Sequence, residues 1–214
     1  MDLFGEASNW EIKLAPILAK YQGKKHPLEY QNIYQLMIMV ILSAQDSDAN
    51  INKIVPALFE KFPTLSSLAN TDEATLLPYI SKVRNFLTKS KWILDIAKTL
   101  QSDEKIPLNM KELVALKGIG RKSANVILRE AKQAHEGIIV DLHVIRVAPR
   151  IGIVAENKDG NKVENELMKI LPQNIWLEIG MAISFLGREI CRPTHPKCDS
   201  CLINDYCNFY KTKA

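Results

Sequence analysis

All four cysteines of this 214-residue chain sit near its C-terminal end, in "CRPTHPKCDSCLINDYC", as Cys191, Cys198, Cys201 and Cys207. Their spacing is C-x6-C-x2-C-x5-C. Thiols crowded this way in an intracellular chain read as metal ligands, because a reducing compartment works against a disulfide framework. Two centres suit four thiolates: a structural zinc ion and an iron–sulfur cluster. Zinc sites usually pair their cysteines as two short clips, and here only Cys198 and Cys201 make one. Arg192, His195 and Lys197 make the stretch between the first two cysteines basic, which suits contact with phosphates.

A second group of chemically capable residues lies in "LKGIGRKSANVIL" (Leu116–Leu128) and in "IIVDLHVIRV". Gly118 and Gly120 flank a single apolar residue, Ile119, between two helical patterns. Glycines at that spacing permit a sharp turn and bring backbone N–H groups close to a ligand. The N–H groups at the start of the helix beginning near Arg121 favour an anion, and Arg121 and Lys122 add positive charge. This is the helix-hairpin-helix pattern of sequence-independent DNA binding. Lys122 has two readings. One is a phosphate contact. The other is a nucleophile, whose neutral amine is the form able to attack carbon. Asp141 likewise reads as the N-cap of the next helix, and such a cap can also place a carboxylate at the mouth of a cleft.

The elements that must position these residues are helical throughout. Amphipathic or apolar periodicity marks Asn9–Tyr21 (with Pro16 expected to bend or shift it), Tyr30–Gln45, a helix after Asp48 as cap, a short helix after Thr71, and Leu87–Leu100. In the last of these, Ile93, Ile96, Ala97 and Leu100 share one face. "NMKELVAL" and "RKSANVILREAK" flank the glycine turn. Three more segments follow, "DLHVIRVAPR", "NKVENELMKIL" and "IWLEIGMAISFLGREI". No alternating strand pattern and no repeat is present, so the fold class is all-α. His143 reads as a packed, hydrogen-bonded histidine. Arg146 and Arg150 read either as DNA contacts or as braces between domains.

Bulk properties narrow the function classes. The formal net charge is +4, which permits a nucleic-acid partner without requiring one. The opening "MDLFGEASNWEIK" lacks the basic-then-apolar order of a secretory leader. The longest apolar run, Ile33–Leu42, is too short to span a bilayer. A soluble protein of the bacterial cytoplasm is therefore expected, associated with the nucleoid and with no membrane partner.

The hairpin, the aspartate segment and the cysteine spacing, in this order, resemble the endonuclease III family of helix-hairpin-helix DNA glycosylases. "ILSAQDSDANINK" (Ile41–Lys53) also looks like that family's first core helix and its following loop. The resemblance runs from about residue 30 to the C-terminus. It implies a six-helix barrel domain over 26–135, with the helix-hairpin-helix at about 110–133. A second domain, built from 1–25 and 136–214, would carry a 4Fe-4S cluster on the four cysteines, and the active site would lie in the cleft between the two. It further implies a base-excision DNA glycosylase with AP-lyase activity, acting as a monomer on double-stranded DNA that holds damaged bases or abasic sites. Lys122 would attack C1′ of the damaged nucleotide, the base would leave, and β-elimination through the Schiff base would cut the strand 3′ to the lesion. Asp141 would assist the attack and stabilise the positive charge that develops on the sugar. Gly118, Gly120 and Arg121 would bind the DNA backbone.

The same resemblance assigns Gln45 and Asn85 to the space left by an extruded nucleotide. Here the chain departs from the family pattern, which has a glycine-leucine-tyrosine run where this sequence has Arg84, Asn85 and Phe86. Leu142 replaces the threonine after the aspartate, and Lys117 replaces a proline before the hairpin. Oxidised pyrimidines are the expected lesions, and a polar Asn85 suits hydrogen bonding to the orphaned base. Two other readings differ in class: a monofunctional glycosylase for alkylated bases, and a non-catalytic DNA-binding module. Lys122 separates the first of these from a lyase, and the Lys122 and Asp141 pair separates the second from an enzyme.

Overall fold

Helix α2 (Ile33–Leu42) is apolar on every side, and each residue from Tyr34 to Leu42 is buried. A helix of that kind belongs at the centre of its unit. Each fully buried Leu, Ile or Met there contributes about 1.5–3 kcal/mol relative to exposure. The molecule, a computed structural model, describes residues 5–134 and 136–212, with side chains from residue 10 onward. Its chain divides into two compact units, Lys25–Ala134 and the pair of segments Met1–Lys24 and His135–Ala214. His135, at the expected domain boundary, lies outside the described residues.

The unit Lys25–Ala134 holds α2 with α3 (Asp48–Lys61), α4 (Leu65–Ala69), α5 (Glu73–Ile80), α6 (Phe86–Leu100), α7 (Met110–Ala115) and α8 (Arg121–Glu130). Around α2 pack α3, α6 and α8; α4 and α5 rest on α6, and α7 rests on α8. Local chemistry starts most of these helices. Asn32, Ser47, Thr64, Asp72 and Asn109 each turn a side-chain oxygen to a backbone N–H in the first turn of α2, α3, α4, α5 and α7. The caps of α3 and α5 are thus Ser47 and Asp72, one residue away from the expected Asp48 and one beyond Thr71. Asp48 instead opens the first turn of α3, where its charge suits the helix dipole. The Tyr34 hydroxyl donates to the Phe62 carbonyl at 2.7 Å and so ties α2 to the end of α3.

The other unit holds α1 (Gly5–Tyr21), α9 (Leu142–Ile151), α10 (Gly160–Ile170), α11 (Trp176–Glu189) and the short α12 (Asn208–Lys211). Pro16 lies inside α1. Helix α11 is the hub: it packs on both α9 and α1, and its residues Ile179–Gly187 are buried. Gly180 lets the segment before α9 lie directly on α11, since a Cβ there would sit 2.3 Å from the Ile139 carbonyl oxygen. Ile138, Ile139 and Val140 are buried, and Asp141 follows them at the start of α9. Among the described residues there is no strand, so the all-α class holds. No helix among them is long and apolar enough to cross a membrane.

Candidate active site

The hairpin is built as its glycines require. Gly118 has φ +85°, a left-handed conformation that glycine adopts without strain, and a Cβ there would meet the Trp92 ring at 2.6 Å. Ile119 is buried and anchors the turn in the core. Gly120 has ordinary extended backbone angles and is the N-cap of α8, with no side chain to cap it. The first turn of α8 therefore meets no acceptor from its own cap residue, unlike α2–α5 and α7. Arg121 and Lys122, both half-buried, open that turn. Lys117 reaches back from the turn to Asp95 on α6 at 2.9 Å, an exposed ion pair that adds little stability.

Gln45 and Asn85 come together. Asn85 Nδ2 donates to Gln45 Oε1 at 3.3 Å, and both residues are exposed. Both are non-glycine residues in the left-handed region, at φ 61° and 58°. Such a conformation is uncommon and persists where neighbours hold it. Beneath them, Lys89 is only 2% exposed and donates to the carbonyls of Leu42 and Ala44, each at 2.7 Å. Asp46 accepts from the Ser47 N–H at 2.8 Å and the Arg84 N–H at 3.0 Å. Burial pushes Lys89 below the usual lysine range, an effect the Asp46 charge opposes. Asp46 ends below the usual carboxylate range: burial pushes it up, and the Arg84, Ser47 and Asn50 hydrogen bonds outweigh that.

Asp141 serves as the N-cap of α9. Its Oδ1 accepts the N–H groups of His143 and Val144, both at 2.9 Å. Its Oδ2 accepts the Ser184 hydroxyl at 2.6 Å, and Arg188 Nη2 stands 3.6 Å away. Leu142, next in the chain, is 79% exposed. His143 is half-buried and lies 3.2 Å from Arg146 Nη2, so it is held by hydrogen bonding.

Arg146 and Arg150 hold the cysteine segment. Arg146 donates to the carbonyls of Gly187 and Cys191, and Arg150 donates to those of Arg192 and Pro193. Arg150 also stacks over the Phe209 ring, 4.5 Å from its centroid, and approaches Cys191 Sγ at 3.6 Å. All four cysteines are free and half-buried. Burial raises the Cys201 and Cys207 thiols; backbone N–H groups oppose it, from Ile203 for Cys201 and from Tyr210 and Phe209 for Cys207, and neighbouring cysteines add to the rise. Among the described residues, no group of three or more His, Cys, Asp and Glu side chains is arranged to hold a metal ion as it stands.

Sequence reasoning missed Ser184, Lys89 and Asp46. Ser184 is a lone hydroxyl in the apolar run of α11, and that isolation was its signal. Lys89 lies on the face of α6 that also carries Ile93 and Ile96, a charge at an apolar position of the helical period.

Residues 38–173 match the HhH-GPD superfamily of base excision DNA repair proteins. The endonuclease III of Synechocystis sp. is 35% identical over 189 residues, covering 87% of this chain and 86% of that protein. A solved non-covalent endonuclease III–DNA complex superimposes with a TM-score of 0.86 at 30% identity, covering 97% of both chains. A trapped endonuclease III–DNA covalent intermediate, an estranged-adenine complex, gives the same TM-score and identity, with 97% of this chain and 98% of that one covered.

Proposed function

The chain belongs to the HhH-GPD superfamily of base excision DNA repair proteins and is a DNA glycosylase with AP-lyase activity; on that premise we propose the roles of its residues. Lys122 supplies the nucleophile. Its neutral amine attacks C1′ of the damaged nucleotide, the glycosidic electrons leave with the base, and loss of the amine protons and ring opening give a Schiff base. Abstraction of a C2′ proton then expels the 3′ phosphate by β-elimination. Asp141 stabilises the positive charge that develops on the sugar, a role suited to a carboxylate already oriented by two N–H groups and a hydroxyl. Gly118, Gly120 and Arg121 grip the DNA backbone, with the α8 N-terminus facing a phosphate. Gln45 and Asn85 fill the gap left by the extruded nucleotide and hydrogen-bond the orphaned base.

The substrate is double-stranded DNA bearing an oxidised pyrimidine or an abasic site, and the enzyme acts as a monomer on cytoplasmic DNA. Residues 26–135 form the six-helix barrel domain with its hairpin, and 1–25 with 136–214 form the cluster domain. Cys191, Cys198, Cys201 and Cys207 hold a 4Fe-4S cluster. Four free, half-buried thiols on one short segment, already tied down by Arg146 and Arg150, support that fit. When bound, the cluster orders a segment too short to bury a core of its own.

The observation that carries the catalytic assignment is the placement of Lys122 in the first turn of a helix whose cap residue, Gly120, has no side chain. Borohydride trapping on an abasic-site duplex tests it. The native protein should give a covalent adduct that Lys122→Ala does not. An adduct that persists in Lys122→Ala would assign the nucleophile elsewhere.

A further inference from the structure

We infer that Lys89 and Asp46 are positioning residues that hold Gln45 and Asn85 in place as a prebuilt wedge before DNA arrives. This rests on the reading that Gln45 and Asn85 fill the space of the extruded nucleotide. Helix α2 ends at Leu42, and its last carbonyls have no partner within the helix. Lys89 comes from α6, far along the chain, to take the carbonyls of Leu42 and Ala44. An ammonium buried to 2% exposure carries a desolvation penalty that an apolar residue on the same helix face would avoid. Its placement fixes where the chain leaves α2, and Gln45 is the next residue after Ala44.

Asp46 closes the other side. It neighbours Gln45 in the chain, and its Oδ2 accepts the N–H of Arg84, the neighbour of Asn85. Its Oδ1 is held by Ser47 and by the Asn50 amide at 3.0 Å. Two turns that are distant in sequence are thus joined below by Lys89 and Asp46, and their exposed tips meet in the bond from Asn85 to Gln45. Both tips have left-handed backbones, which the clasp beneath them maintains. A wedge ordered in advance loses less conformational freedom when it enters a base stack. The clasp therefore favours the extruded state and leaves bond-breaking at the sugar untouched.

The test compares single-turnover excision of one oxidised pyrimidine in a matched duplex and in an unpaired bubble, where extrusion is nearly free. Lys89→Met and Asp46→Ala should each slow the duplex reaction by about tenfold and the bubble reaction by less than about twofold. Fluorescence of 2-aminopurine opposite the lesion should show weaker unstacking in both variants. Equal losses on the two substrates, or no loss on either, would overturn the clasp. Should Lys89→Met fail to fold, Asp46→Ala decides alone, because Asp46 lies at the half-exposed edge. Gln45→Ala and Asn85→Gly report on the wedge itself. If they slow the duplex reaction selectively while the clasp variants do not, the wedge stands and the clasp falls. If they have no effect, the wedge reading fails and the clasp with it.

Discussion

Ser184, buried in the middle of α11, donates its hydroxyl to Asp141 Oδ2 at 2.6 Å. The other carboxylate oxygen caps α9 through His143 and Val144. The two demands on Asp141, as cap and as charge stabiliser, therefore fall on different oxygens. Asp141→Asn should keep the cap, since Asn and Asp cap about equally well, and should change stability by less than about 1 kcal/mol. It should slow base release by about a hundredfold, the scale of losing one preorganised electrostatic group. Single-turnover kinetics beside a DNA-binding isotherm check this. Weakened binding with normal chemistry would reduce Asp141 to a cap.

The two hairpin glycines should separate fold from binding. Gly118→Ala places a Cβ against Trp92 and forces a left-handed backbone on alanine, so it should destabilise the protein by about 1 kcal/mol or more. Gly120 has ordinary angles and open space around it, so Gly120→Ala should cost only the poorer capping of alanine, about 1 kcal/mol or less. If phosphate approaches the α8 N-terminus, the same Gly120→Ala should weaken binding to an abasic-site duplex. Unaltered affinity would remove Gly120 from the DNA contacts.

How far the sequence could be read depended on whether a signal was local. The hairpin was legible because Gly-x-Gly, a buried Ile119 and a following basic helix are all short-range features. The α9 cap was legible for the same reason. Helix starts slipped by one residue where two capping residues stand side by side, as with Ser47 and Asp48, because either can offer the oxygen. The end of α2 at Leu42, short of the expected Gln45, was not legible. The carbonyls there are taken by Lys89, which no local pattern links to that turn. The partner of Ser184 was equally hidden, because Asp141 is joined to it only by the packing of α9 on α11.

Cys198→Ser should remove iron and visible absorbance and loosen the C-terminal segment. Arg146 and Arg150 hold the backbone near Cys191, while the stretch beyond has little apolar anchorage besides the buried Ile203. A bound metal centre contributes its binding free energy to folding. Limited proteolysis should therefore cut the variant at the exposed Lys197 sooner than the native protein. Unchanged iron content and absorbance would exclude Cys198 as a ligand.

Acid should weaken the tie between α1 and α11. The Glu189 carboxylate accepts from Lys24 and from the Tyr21 hydroxyl, the latter at 3.0 Å. The Lys24 hydrogen bond, opposed by burial and aided by Tyr21, holds Glu189 below the usual carboxylate range. A depressed carboxylate stabilises the fold fully above its unfolded-state value, near pH 4.3, and loses that contribution as pH falls through its folded value. Both side chains of the ion pair are more than a third exposed, so solvent screening limits it to less than about 1 kcal/mol. Glu189→Gln should therefore lower the melting temperature by a few degrees at neutral pH, and the gap should close below about pH 4 as the native carboxylate takes up its proton. A gap that stays constant from neutral to acid pH would assign the loss to packing or to the Tyr21 hydrogen bond and not to the charge.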